Sequence, residues 1–171
     1  MRTHEPTILA IDPGTRELGF ALLRGPHLID CGVLTLRHVP PKRRLPAVKQ
    51  AFERWISADR PDALVLEDIP SRPLLAALGL PSLGRLLRRL SRRHGLKLSS
   101  YSAKAVRRSL LNNGWAGKAE IVGPLVGRFP ELRVYRGQNR KWKDRHWHNL
   151  FDAVALALHH QSITQPPSRS R

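Results

Sequence analysis

One cysteine, Cys31, is all the sequence contains. An internal disulfide is therefore excluded, and neither a CxxC pair nor an HExxH helix is present to hold zinc. Any metal must be held by oxygen ligands. No apolar run approaches the ~18 to 20 residues that a membrane span requires. Polar Met1 to Glu5 lead straight into an apolar strand, unlike a secretion signal, so a cytosolic chain with no membrane contact is expected. Acid is scarce as well: 13 Asp and Glu face 30 Lys and Arg, a formal charge of +17 on 171 residues.

A charge so large on so small a body repels itself, and a polyanion nearby relieves it. Nucleic acid is the expected partner. A basic membrane-surface protein would need an amphipathic helix with bulky apolar anchors. Hydrophobic residues make up 41% of the chain, enough to build a core, which excludes a disordered polycation. Arg outnumbers Lys by 23 to 7. That ratio suits bidentate phosphate binding, and a GC-rich genome would produce it equally.

The apolar runs predict one α/β domain over residues 1–161, followed by a Pro- and Ser-rich basic tail over 162–171 that is expected to be disordered. Thr7 to Asp12, Leu18 to Leu23 and Leu28 to Leu36 read as a three-stranded meander, with Gly25-Pro26 as one of its turns. Leu45 to Ala58 has helical spacing, and Ala63 to Leu66 is a buried strand delivering Glu67 at its end. Ser71 to His94 reads as a leucine-rich helix kinked at Gly79 to Pro81. Leu96 to Tyr101 is a fifth strand. Helices over Ala103 to Leu111 and Lys118 to Phe129 flank an Asn112-Asn113-Gly114 turn, Arg136 to Arg145 is a basic loop, and His148 to Gln161 is the last helix.

Between Asp68 and Glu120 there is no acidic residue, while the same stretch carries eleven Lys and Arg. A merely solvated surface interleaves both signs, so this stretch predicts one phosphate-binding face. Its candidate contacts are Arg85, Arg88, Arg89, Arg92, Arg93, Lys104, Arg107 and Arg108. Arg140, Lys141 and Lys143 extend the set in a segment that also holds Trp142 and Trp147. Those indoles could stack on exposed bases or pack in the core.

Three carboxylates, Asp12, Glu67 and Asp152, fall where apolar segments end. Each alone could be a turn or capping residue. In an α/β sheet, however, functional groups gather beyond the carboxyl ends of the central strands, and a terminal helix packed there could add Asp152. Converging carboxylates repel one another unless a cation lies between them, and hard oxygen ligands select Mg²⁺ or Mn²⁺. Acidic ligands within a basic phosphate-binding surface describe phosphodiester hydrolysis with two ions per site.

The stretch ILAIDPGTRELGFALL resembles the opening of the RuvC family of Holliday junction resolvases, within the RNase H-like nuclease superfamily. VLEDIP resembles that family's second acidic strand, YSAKAVRRSLLNNGWAGKAEIV its segment of a Tyr, a basic helix, a glycine turn and a Lys, and FDAVALALHH its closing acidic helix. Order and spacing agree from about Ile8 to His160. The resemblance implies an RNase H-like fold of five mixed strands flanked by helices, a homodimer, and paired nicking of four-way DNA junctions with Mg²⁺. It puts Asp12, Glu67 and Asp152 on the family's metal-binding acids and Lys118 on a lysine that contacts DNA near the cut. It also makes the leucine-rich helix after Glu67 a dimer contact, for which the alternative is intramolecular core.

The chain departs from the family at two places. Three residues before the last acid the family has Asp or His, and here stand Asn149 and, one earlier, His148. Either could complete the site, because both share a helix face with Asp152. The family's aromatic wedge, three residues beyond the Glu, is replaced by Pro70. Such departures suggest a distant bacterial, phage or organellar branch. Competing readings are an actin-like ATPase lobe, on the strength of Asp12-Pro13-Gly14-Thr15, a catalytically silent nucleic-acid binder, and a nuclease acting on other branched DNA or on RNA–DNA hybrids.

Overall fold

A computed structural model describes residues 5–69, 79–115, 117–136 and 141–165, the side chains of residues 118 and 141–146 excepted. Five strands, β1 (Thr7–Asp12), β2 (Glu17–Arg24), β3 (His27–Thr35), β4 (Ala63–Glu67) and β5 (Lys97–Tyr101), form one mixed sheet in the order β3-β2-β1-β4-β5. The meander pairs antiparallel, Arg24 opposite His27, with Gly25 at φ +50° making the turn that a side chain would strain. β4 and β5 join β1 in parallel, so their connections must cross over the sheet.

Those crossovers build one helical layer, and the chain after β5 builds the other. Helix α1 (Pro41–Asp59) and helix α2 (Leu80–Arg93) pack on one face, where Phe52, Val48, Leu83, Leu87 and Leu90 meet Leu9, Ile11, Leu22 and Leu64 of the strands. Helix α3 (Ala103–Leu111), helix α4 (Val122–Arg128) and the long helix α5 (Lys141–Thr164) cover the other, where α5 lies on Ile8, Ala10, Ala21, Leu23 and Val65. The alternation along β1 sends its even residues to α5 and its odd residues to α1 and α2. Among the described residues no helix is long and apolar enough to cross a membrane.

Several boundaries differ from the reading of the sequence. α1 starts at Pro41 rather than Leu45, since proline in the first turn forgoes a hydrogen bond that no residue there could make. The helix expected over Lys118 to Phe129 is a 3-10 turn, Lys118–Ile121, followed by α4. Pro124 has no N–H to donate to the carbonyl of Glu120, which breaks a continuous α-helical ladder. α5 begins at Lys141, inside the expected basic loop, because Lys, Trp and Arg are tolerable helix residues whatever their charge. It also runs to Thr164, three residues into the expected tail. Of the helix expected from Ser71, the described part is α2; residues 70–78, Pro70 included, lie outside the described residues.

The leucines of α2 are accounted for. Leu83, Leu87 and Leu90 are buried within the chain, packed with α1 and the sheet.

Candidate functional site

β1 and β4 run side by side in parallel, with Ile11 opposite Leu66, so Asp12 and Glu67 are neighbours at the carboxyl ends of the two central strands. Both fall on the face covered by α5: Asp12 follows Ile8 and Ala10 in alternation, and Glu67 follows Val65. β5 adds Tyr101 opposite Glu67, and the amide of Asp68 donates to the Tyr101 carbonyl at 2.9 Å. On the other flank, Gly19 of β2 is opposite Asp12.

Gly19 fixes how closely the last helix approaches. A Cβ there would collide with the backbone carbonyl of Asn149, so only glycine lets α5 rest on the strand beside Asp12. Asn149 and Asp152 are three apart and share a face of α5, and Asp152 is 6% exposed against 8% for Asp12. The backbone thus brings Asp12, Glu67, Asn149 and Asp152 to one end and one side of the sheet. His148 lines a cavity of about 260 Å³ with Ala119, Val122, Tyr135, Trp147 and Phe151.

Among the described residues no three His, Cys, Asp or Glu side chains stand close enough together to hold a metal as they are. The backbone sets these residues at one end of the sheet, while the carboxylates are not drawn up as a ready chelate. None of Asp12, Glu67 and Asp152 is without a partner. Their chemistry nevertheless fits a hard divalent cation: they are oxygen donors, two of them buried, and burying like charges together is unfavourable without a cation between them.

The expected basic residues divide between two layers. Arg85, Arg88, Arg89, Arg92 and Arg93 are exposed on α2, on the face of α1, whereas Lys104 and Arg108 are exposed and Arg107 half-buried on α3, on the face of α5. The acid-free stretch is thus not a single face, because the chain crosses the sheet at β5 between the two helices. Lys118 opens the 3-10 turn and Lys141 and Lys143 lie in the first turn of α5, but their side chains, and all of Arg140, lie outside the described residues.

Of the two indoles singled out, Trp147 is half-buried and packs on Tyr135 with ring centroids 4.6 Å apart, so it belongs to the core. The side chain of Trp142 lies outside the described residues. The sequence reading passed over Trp115, which is 82% exposed. Its place directly after the Asn112-Asn113-Gly114 turn was the available signal, since a turn tip is where a side chain escapes the core.

With this geometry in place, the similarities to known proteins become specific. The family described as "Crossover junction endodeoxyribonuclease RuvC" matches residues 8–160. The chain belongs to the RuvC family. A RuvC protein of Nocardioides sp. is 29% identical over 160 residues, which cover 90% of this chain and 85% of the relative. One from Alkalilimnicola ehrlichii is 30% identical over 171 residues and 97% of each chain. Among solved structures, T. thermophilus RuvC in complex with a Holliday junction substrate superposes with a TM-score of 0.72 at 22% identity, covering 94% of this chain and 95% of that one. The yeast mitochondrial Holliday junction resolvase Ydc2 superposes with a TM-score of 0.66 at 18% identity, covering 92% and 79%. These structures share the five-stranded fold flanked by helices, and RuvC proteins are metal-dependent nucleases.

Proposed function

We propose that this RuvC-family chain is a Holliday junction resolvase: an endonuclease that cuts four-way DNA junctions by paired symmetric nicks, acting as a homodimer. The family match across residues 8–160 carries the reading. The register that sets Asp12 beside Glu67, with Asn149 of α5 against Gly19, supports it independently.

In this reading Asp12, Glu67 and Asp152 hold Mg²⁺ or Mn²⁺, two ions per site, with Asn149 as a fourth, neutral oxygen ligand. When bound, such ions supply charge neutralisation and water activation for phosphodiester hydrolysis. The protein's own part is placement. Burial between α5 and the sheet limits the freedom of the Asp12 and Asp152 side chains, and ordered ligands spare reorganisation during the reaction. Lys118, at the head of its 3-10 turn, offsets charge near the scissile phosphate. His148, one residue earlier on the helix, is the alternative for the fourth position.

The test is cleavage of a synthetic four-way junction, a duplex and an RNA–DNA hybrid, with nick positions mapped, in Mg²⁺, Mn²⁺ and chelator. Symmetric nicks on the junction alone, abolished by chelator, are expected. Asp12→Asn should retain most junction affinity and lose nicking; equal loss of both would indicate misfolding. Preferential cleavage of the hybrid would overturn the junction assignment.

A further inference from the structure

An indole exposed to 82% is an unusual expense on a charged surface, and here it is held in place. One contact engages the Trp115 ring and two features hold the backbone beside it. Its backbone amide donates to Asn113 Oδ1 at 3.0 Å. Gly114, just before it, packs so closely on α3 that an added Cβ would meet Lys104 Cγ at 3.0 Å and the Lys104 carbonyl at 3.2 Å. Lys104 Nζ lies 3.9 Å from the centroid of the indole, covering one ring face with a cation.

The setting is cationic. Lys104 and Arg108 are exposed on α3, and no acid occurs from residue 69 to residue 119. The location is also specific. Lys104 is in the first turn of α3, three residues after Tyr101, which is paired with Glu67 in the sheet. Trp115 therefore stands at the catalytic end of the sheet, on the loop leading into the 3-10 turn headed by Lys118.

We propose that Trp115 is a base-stacking residue, which receives an unpaired nucleobase next to the branch point on its ring while Lys104 and Arg108 hold the adjoining phosphates. A protein contact would favour an apolar surround, whereas this indole carries the Lys104 ammonium on one face and has exposed Arg108 on the same helix. Any base has a π-face, so stacking is indifferent to sequence. The assignment deepens the resolvase reading and rests on it for the branch point, but not for the stacking.

The full chain is assayed in chelator, so that nothing is cut, against a single-stranded oligonucleotide, a four-way junction with 2-aminopurine beside the branch point, and a plain duplex. Trp115→Ala should bind the first two about ten-fold more weakly, leave duplex affinity unchanged and abolish the change in 2-aminopurine emission. Its salt slope should stay that of the wild type, because no charge is lost. Trp115→Phe should restore most of the affinity, and Lys104→Met should reduce the salt slope by about one. Unchanged single-strand and junction affinity in a Trp115→Ala protein that melts like the wild type overturns the proposal. So does a shift in sedimentation with DNA affinity intact, which would make the indole a protein contact. If the wild type shows no preference for junctions, yet Trp115→Ala loses single-strand affinity, the resolvase reading fails and the stacking assignment stands.

Discussion

His159 and His160 are buried side by side near the end of α5, and burial lowers both pKa values below the ordinary 6.5, His160 further through its neighbour. Tyr101 engages both, with its hydroxyl 2.9 Å from Nδ1 of His160 and its ring edge-on to His159 at 4.6 Å. The folded protein thus resists protonation that the unfolded chain accepts. Stability from this source is full above the unfolded value and is lost as pH falls from ~6.5 towards the lower folded value. The thermal midpoint should be lower at about pH 5.5 than at about pH 7.5, and His159→Leu should narrow the difference. A midpoint indifferent to pH would contradict this. The proposed metal-ligating acids, by comparison, stand out in the sequence: Asp12 and Glu67 end apolar strands, and Asp152 interrupts the apolar stretch of the last helix. The histidine pair does not, since nothing in a sequence marks which imidazoles of an amphipathic helix will meet a tyrosine from another strand.

Helix α5 depends on the absence of a side chain at Gly19. Gly19→Ala would drive a Cβ into the Asn149 carbonyl and lift the helix from β2. Overpacking of this kind costs about 1 to 3 kcal/mol. Nicking should fall well beyond what the stability loss explains, because the helix carries Asp152. Denaturant unfolding alongside the cleavage assay checks this; loss of stability with full activity would show that the helix can shift without consequence. The strands were the most legible elements, as their apolar alternation and Gly-Pro turn read directly. Helix ends were less so. The division at Ile121 reflects one missing amide at Pro124, and the early start of α5 at Lys141 was hidden by a run of charge that resembles a loop.

Over the whole molecule, the net charge of +17 sets the terms of binding. If the DNA engages 6 to 10 phosphates, junction affinity should fall by roughly 10³- to 10⁵-fold between about 50 and 200 mM salt. A flat response would count against the electrostatic argument. Arg88→Gln with Arg92→Gln, on the layer away from α5, tests whether the DNA reaches both sides of the sheet: a reduced salt slope says that it does. Composition pointed to a nucleic-acid partner and the apolar runs to the meander, whereas the parallel addition of β4 and β5 beside β1 came only with the structure. So did the split of the basic residues between layers, because a stretch continuous in sequence passes from one face to the other at β5.

The order of synthesis acquires significance from α5. The five strands are complete at Tyr101, yet the third carboxylate and the cover for Ala10, Ala21, Leu23 and Val65 arrive only with a helix that ends at Thr164. At roughly 5 to 20 residues per second on the ribosome, the nascent chain spends several seconds with its acids incomplete and one side of its sheet bare. With Asp152 as a proposed ligand, a chain stopped before α5 is expected to be inactive and to leave the apolar strand residues under that helix exposed.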